Sequence, residues 1–322
     1  MFEALDPKVL PNKNDPQDPR FEKVIGASAP WNVSIQGYPD DEGISLNGGR
    51  PGAAKAPDAI RAAFYKMTPW FPLQNANFSI QDLGNLRVTQ LDLHERHREA
   101  HRSTKNQLDQ KNFLISLGGG HDYGFSDAAG FLDHHLQKKK IRPLVINFDA
   151  HLDVRPANET HHSGTPFRRL IETYGHRFDF VEVGLQPQCN SIHHWNWLLE
   201  KKGSIIPIDL IEKKGMLSAL KKTLAKIPKQ TPLWISVDID GFHQAEAPGC
   251  SQSWNRGFTL REFLPALEFL IQKFQLSGFG IYEVSPPLDL DGRTSKLAAL
   301  IMYESLRFQS MKLTPASWGK RR

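Results

Sequence analysis

Asp149, His151 and Asp153 occupy alternate positions just after the apolar run Pro143–Phe148. On an extended segment, side chains at such spacing point to one side. Asp238 and Asp240 repeat the pattern after Leu233–Val237, His121 follows the glycines at 118–120, and Glu283 ends the apolar run Phe279–Tyr282. Carboxylates gathered behind apolar strands repel one another and push each other's pKa values up, and a bound cation removes that repulsion. One Asp at a strand end reads equally well as a helix cap or an ion-pair partner. Two same-face acidic pairs accompanied by two histidines do not. The set of four aspartates and two imidazoles, His121, Asp149, His151, Asp153, Asp238 and Asp240, contains no thiolate. Such a set suits Mn²⁺ ahead of Mg²⁺, Fe²⁺, Co²⁺ or Zn²⁺. It is too large for one catalytic ion that keeps an open position, and it suffices for two ions when some carboxylates bridge them, which acidifies a water between the metals.

These residues require a scaffold that brings strand ends together. From about residue 112, short apolar runs alternate with amphipathic stretches. The strand candidates are 113–117, 143–148, 178–183, 204–208, 233–237 and 279–282, with 31–35 ahead of them. Helical patterns fall at 56–66, through about 138, and at 166–174, 191–201, 211–226, 259–274 and 294–308. Strands apolar on both faces and alternating with helices predict a parallel sheet covered on two sides. The expected architecture is a three-layer α/β/α domain with a mainly parallel central sheet. It spans 26–322, behind an N-terminal arm over 1–25 that includes an Asn14-Asp15-Pro16 loop. In such sheets ligands bind beyond the carboxyl ends of the strands, where the acidic residues fall.

The ordered set GGGHD, DAHLD, SVDIDG and EVSPP, with GYPDDEGISLNGGRPGAAKAPDAIR ahead of it, resembles the ureohydrolase family of arginase, agmatinase and formimidoylglutamase. The resemblance runs from about Gly37 to about Leu306. It implies an arginase-like fold and a binuclear manganese centre. One ion would be held by His121, Asp149, Asp153 and Asp238, and the other by His151, Asp149, Asp238 and Asp240. It further implies that a hydroxide between the metals attacks the amidino carbon, that Asp153 accepts its proton, and that Glu283 faces the cationic amidine. A homo-oligomer is also implied.

Three local features bear on the substrate. Where arginase and agmatinase have His-Gly, this chain reads His162-Ser163-Gly164, so Ser163 takes the place of the proton-shuttle histidine and His162 stands one residue away. The following SGTPF is similar to the formimidoylglutamase pattern. No Asp-Pro follows the second acidic pair, which also agrees with formimidoylglutamases. Arg155 lies two residues beyond Asp153, where arginase has a short amide, and its planar fork matches a carboxylate. Paired instead with a nearby acidic loop, it would carry no such meaning. The reading is hydrolysis of N-formimidoyl-L-glutamate to L-glutamate and formamide, a step of histidine degradation. The alternative is urea release from a guanidino acid such as guanidinobutyrate, from agmatine or from arginine. A non-catalytic metabolite-binding protein is the alternative of another class, and it would be expected to show a broken ligand set.

Composition narrows the remaining classes. The chain has 322 residues, 39% hydrophobic and 23% charged, and a net charge of +5. Its basic clusters, such as 138–140, 201–202, 213–214 and 320–322, sit at expected helix ends, where cations favour the helix dipole. Neither a concentrated basic face nor interleaved stacking aromatics points to nucleic acid. No apolar run reaches the length of a membrane span, and the N-terminus lacks a secretory pattern, so a cytoplasmic protein is expected. Cys189 and Cys250 have no metal-like spacing and no base nearby in sequence, and are read as unreactive. His94, His97 and His101 read as an exposed helix face. The pairs His134-His135 and His193-His194 fall in predicted helices and read as surface or packing residues, which disfavours a deacetylase-like site.

Overall fold

The computed structural model describes residues 2–11, 15, 17–24, 31–69, 73, 78–137, 142–157 and 160–313. Among these residues nine strands form one sheet: β1 (Phe2–Glu3), β2 (Trp31–Gly37), β3 (Phe78–Leu86), β4 (Phe113–Leu117), β5 (Leu144–Phe148), β6 (Asp179–Leu185), β7 (Ser204–Pro207), β8 (Pro232–Asp238) and β9 (Gln275–Tyr282). Their order is β1-β3-β2-β4-β9-β8-β5-β6-β7. Every pairing is parallel except that of β1 with β3. The helices are α1 (Glu42–Leu46), α2 (Ala56–Phe64), α3 (Leu93–Asp109), α4 (Tyr123–Leu136), α5 (Pro166–Tyr174), α6 (Ile192–Glu200), α7 (Ile208–Lys214), α8 (Met216–Thr223), α9 (Leu260–Lys273) and α10 (Arg293–Leu313). The expected three-layer parallel architecture is present. Among the described residues no helix is long and apolar enough to cross a membrane.

Alternation along the strands divides the core into two apolar layers. Phe113, Ile115 and Leu117 of β4, Leu144, Ile146 and Phe148 of β5, and Leu233, Ile235 and Val237 of β8 pack into one layer with α2, α9 and α10. Leu114, Val145, Phe180 and Trp234 join the other, against α4 and α5. On this second face the strands turn polar toward their carboxyl ends. Leu114 is followed by Ser116, Val145 by Asn147, Phe180 by Glu182 and Trp234 by Ser236, and all four polar residues are fully buried. A polar layer of this kind survives burial only where its groups find partners, and here it lies directly beneath the acidic strand ends.

Several elements depart from the sequence pattern. The stretch expected as one helix over 211–226 is two helices, α7 and α8, separated at Gly215 with φ +79°. β3 was not anticipated. The side chain of its mid-strand Asp82 is buried because Arg61 of the neighbouring α2 and Tyr65 just beyond that helix donate to it. The N-terminal arm contributes to the core, with Phe21 buried and stacked on Phe64 at 4.6 Å between ring centroids. Asn14 and Pro16 of the expected loop, and the basic clusters at 138–140 and 320–322, lie outside the described residues.

Candidate metal centre and substrate cavity

β4, β5, β8 and β9 are contiguous in the sheet through the pairs β4–β9, β9–β8 and β8–β5, so the four chemically loaded segments end side by side. Tight backbone approach makes this possible. A Cβ on Gly119 would lie 1.7 Å from the Asp40 carbonyl oxygen, so only glycine fits between β4 and the loop after β2. The Glu283 N–H donates to the Gly119 carbonyl at 2.9 Å, which ties the end of β9 to the same turn.

His121 lies at the centre. Its Nδ1 faces Asp153 at 2.9 Å, Asp238 at 3.1 Å and Asp149 at 3.2 Å. On the other edge of the ring, Nε2 meets the Ser236 hydroxyl at 2.9 Å, and the face stacks on Tyr282 with centroids 4.9 Å apart. Tyr282 is itself held, donating its hydroxyl to the buried Asp127 carboxylate, which also accepts from Tyr38 and Thr104. His151 Nδ1 lies 3.1 Å from Asp240 and 3.5 Å from Asp149. Two groups of potential ligands result: His121, Asp149, Asp153 and Asp238, and Asp149, His151 and Asp240. Asp149 belongs to both. Asp238 belongs to the first, and its second oxygen accepts the Asp240 N–H.

Supporting contacts fix this cluster. Asn147 donates to Asp149 at 3.1 Å and to the buried Glu182 at 3.0 Å. Asn190 pins the loop after β5, accepting the Leu152 N–H and donating to the Ala150 carbonyl. Asp153 and Glu283 both have left-handed backbone, with φ +50° and +65°. Non-glycine residues are held there only when their surroundings over-determine them, a pattern concentrated at functional sites. At Asp153 the turn also aims its carbonyl at the first-turn N–H groups of α5, from Phe167 at 3.1 Å and Arg168 at 3.4 Å.

The electrostatics are those of a cluster short of positive charge. Burial first, and then Asp149, raise Asp153 to about 6. Burial, followed by Asp240 and Asp149, lifts Asp238 well above the usual carboxylate range, and burial also raises Asp240. For Asp149 burial works upward, but His121 and His151 outweigh it and the carboxyl is lowered. Burial likewise works against charge on His121, yet its three aspartates raise it well above an ordinary histidine. His151 is raised for the same reason, chiefly by Asp240. Burial raises Glu283 to about 8, partly offset by the His121 N–H that its carboxylate accepts at 3.0 Å. The donor set fits a hard divalent cation. His121 Nδ1 is fully buried and makes no hydrogen bond among the described residues, although three carboxylate oxygens surround it.

The cluster forms the floor of a cavity of about 430 Å³. Asp153, Asp238, Asp240 and Glu283 open into it from below, and Arg155, Ser163, Asn47 and His194 are among its walls. Arg155 donates to the Asn47 side-chain oxygen Oδ1 at 2.8 Å, and the Asn47 side-chain amide donates to the Ser163 hydroxyl at 3.0 Å. Among the described residues Arg155 forms no ion pair, so the acidic-loop alternative finds no partner there. His162 is placed differently. It does not line the cavity, and its Nδ1 accepts the Gly164 N–H at 3.2 Å while its own N–H donates to Thr165.

Sequence reasoning missed some neighbours. Cys189 lines the cavity with its thiol against His151, so a histidine does lie beside it. His194 also faces the cavity, from the first turn of α6. His97 is buried, against expectation, because its Nε2 pairs at 2.6 Å with Asp122. Only the acidic residue right after His121 could have signalled that last contact. Cys250 is fully buried, as an inert thiol would be.

The arginase family profile matches residues 32–307. The formimidoylglutamase of Streptococcus gordonii is 28% identical over 89% of this chain and 86% of its own length. That of Aeromonas hydrophila is 29% identical over 95% and 99%. A crystal structure of Trypanosoma cruzi formiminoglutamase with manganese superposes with a TM-score of 0.81 at 25% identity, covering 92% of this chain and 99% of that one. The chain belongs to the arginase family and is, with it, a hydrolase of amidine C–N bonds.

Proposed function

We propose that this protein is a manganese-dependent formimidoylglutamase, acting in the cytoplasm as a homo-oligomer in histidine degradation. N-formimidoyl-L-glutamate and water give L-glutamate and formamide: the carbon–nitrogen bond to the glutamate nitrogen breaks, water oxygen joins the formimidoyl carbon, and the glutamate nitrogen takes a proton. The carrying observation is a cavity lined both by the acidic cluster and by Arg155, which forms no ion pair among the described residues.

Two manganese ions would be held by His121, Asp149, Asp153 and Asp238 on one side and by His151, Asp149, Asp238 and Asp240 on the other. When bound, the metals supply acidification of water and stabilisation of negative charge in the transition state. The chain's own residues do the rest. Glu283, at the floor and anchored to the His121 N–H, meets the cationic amidine and holds its carbon over the cluster. Asp153, which lines the cavity and lies 2.9 Å from His121 Nδ1, takes the proton given up by water. Arg155, kept extended by Asn47, pairs with a carboxylate at the far end of the substrate, and Ser163 supports Asn47. His162 is off the cavity wall, and its part is to shape the turn that presents Ser163.

The test is a product assay on manganese-loaded protein with N-formimidoyl-L-glutamate, guanidinobutyrate, agmatine and arginine. Formamide is expected from the first, lost on EDTA treatment and regained with Mn²⁺. Urea from one of the others, with no formamide, would replace this reading by the guanidino alternative. In Arg155→Ala, KM for the dicarboxylate is expected to rise about tenfold or more, with manganese affinity unchanged.

A further inference from the structure

The cavity wall carries a second side chain besides Arg155 that can donate a hydrogen bond to an anion. His194 sits in the first turn of α6, three residues after the N-cap Ser191, whose hydroxyl accepts the His194 N–H at 3.2 Å. Asn190, Ser191 and His194 all line the cavity, so this end of α6 forms part of its wall. Among the described residues the His194 imidazole has no hydrogen-bond partner and no carboxylate beside it. Burial, and then the charges of His193, Arg155 and Arg168, hold its pKa below the ordinary histidine value, and the His193 ring lies 5.7 Å away. Apart from the acids of the floor, no lining residue among the described residues carries a carboxylate. An imidazole in the company of guanidinium groups, open to a cavity, and backed by helix N–H groups is a donor waiting for an anion.

We infer that His194 is a specificity-determining residue that binds one carboxylate of the substrate while Arg155 binds the other. The inference rests on the formimidoylglutamate reading and extends it, because a dicarboxylate needs two anchors where a guanidino monocarboxylate needs one. The floor orients the amidine, and the two anchors fix the tail. Selection against agmatine and arginine follows, since neither offers two anions.

The experiment compares wild type, His194→Asn and His194→Arg, all manganese-loaded, with two readouts. The first is steady-state kinetics with N-formimidoyl-L-glutamate and with N-formimidoyl-4-aminobutyrate, which lacks one carboxylate. The second is calorimetric binding of L-glutamate, which needs no turnover. His194→Asn is expected to raise KM for the dicarboxylate about tenfold, to change kcat less than threefold, and to leave KM for the monocarboxylate within about twofold. L-Glutamate affinity falls in parallel, and His194→Arg restores it, a rescue that a purely structural role of His194 would not give. Equal L-glutamate affinity in wild type and His194→Asn overturns the inference whatever the kinetics show. Absence of formamide release by wild type overturns the underlying reading instead, and the two failures are therefore separable.

Discussion

Ser236→Ala removes one oxygen atom that never touches substrate, yet its effect should appear in metal binding. With Nδ1 of His121 turned to three aspartates, Nε2 carries the ring hydrogen, and the Ser236 hydroxyl 2.9 Å away accepts it. Both residues are fully buried, so no solvent can replace the lost acceptor. A buried N–H left without a partner costs about 1–3 kcal/mol, and that loss is expected in the stability of the metal-free protein. The hydrogen bond also fixes which nitrogen faces the carboxylates. Removing the outer partner of a metal-ligating histidine weakens metal binding by about 10–100-fold, equivalent to about 1.4–2.7 kcal/mol. The assay is a manganese competition titration against a chelating dye, run beside thermal unfolding of the metal-free variant. The Tyr282 stack survives the substitution, so the ring stays near its place and the loss should remain within that range. A variant that binds manganese within twofold of wild type would refute the claim that His121 is a ligand through Nδ1.

Glu283→Gln keeps the shape of the side chain while removing its charge, and is expected to lower kcat by about 10²–10³-fold with manganese content unchanged, measured by formamide release and metal analysis. His161, which burial and then Arg169 hold down at about 3, remains neutral in the folded chain while the unfolded chain protonates near the ordinary histidine value. The unfolded state then binds more protons, so stability falls as pH drops from about 6.5 toward 3. His161→Gln should make the urea midpoint less steep over that window, and an unchanged slope would remove His161 from the account.

The sequence made the centre of the fold legible because β4, β5, β6 and β8 are almost wholly buried and read as mainly apolar runs despite the polar residues they carry. The clustered acidic positions were legible for a related reason. Alternate acidic residues directly after such runs have no structural use that would conceal their chemistry. β3 escaped notice because the charge of Asp82 is compensated by Arg61, 21 positions earlier in the chain, and spacing within the strand gives no hint of it. His97 read as exposed because its partner Asp122 belongs to another element, 25 residues away. The break between α7 and α8 rests on one glycine with positive φ inside an otherwise continuous amphipathic pattern. Cavity walls were the least legible part. His194 and Cys189 face the site because α6 and the loop before it fold back over the end of β5, and local sequence says nothing about that approach.

The left-handed turns at Asp153 and Glu283 also bear on how such a protein can change. Glycine would relax either position, and each exchange would remove an acid from a crowded floor, so the chain gains comfort wherever it gives up chemistry. Screens that reward only heat tolerance should therefore favour the loss of these two acids, leaving sturdy but silent descendants.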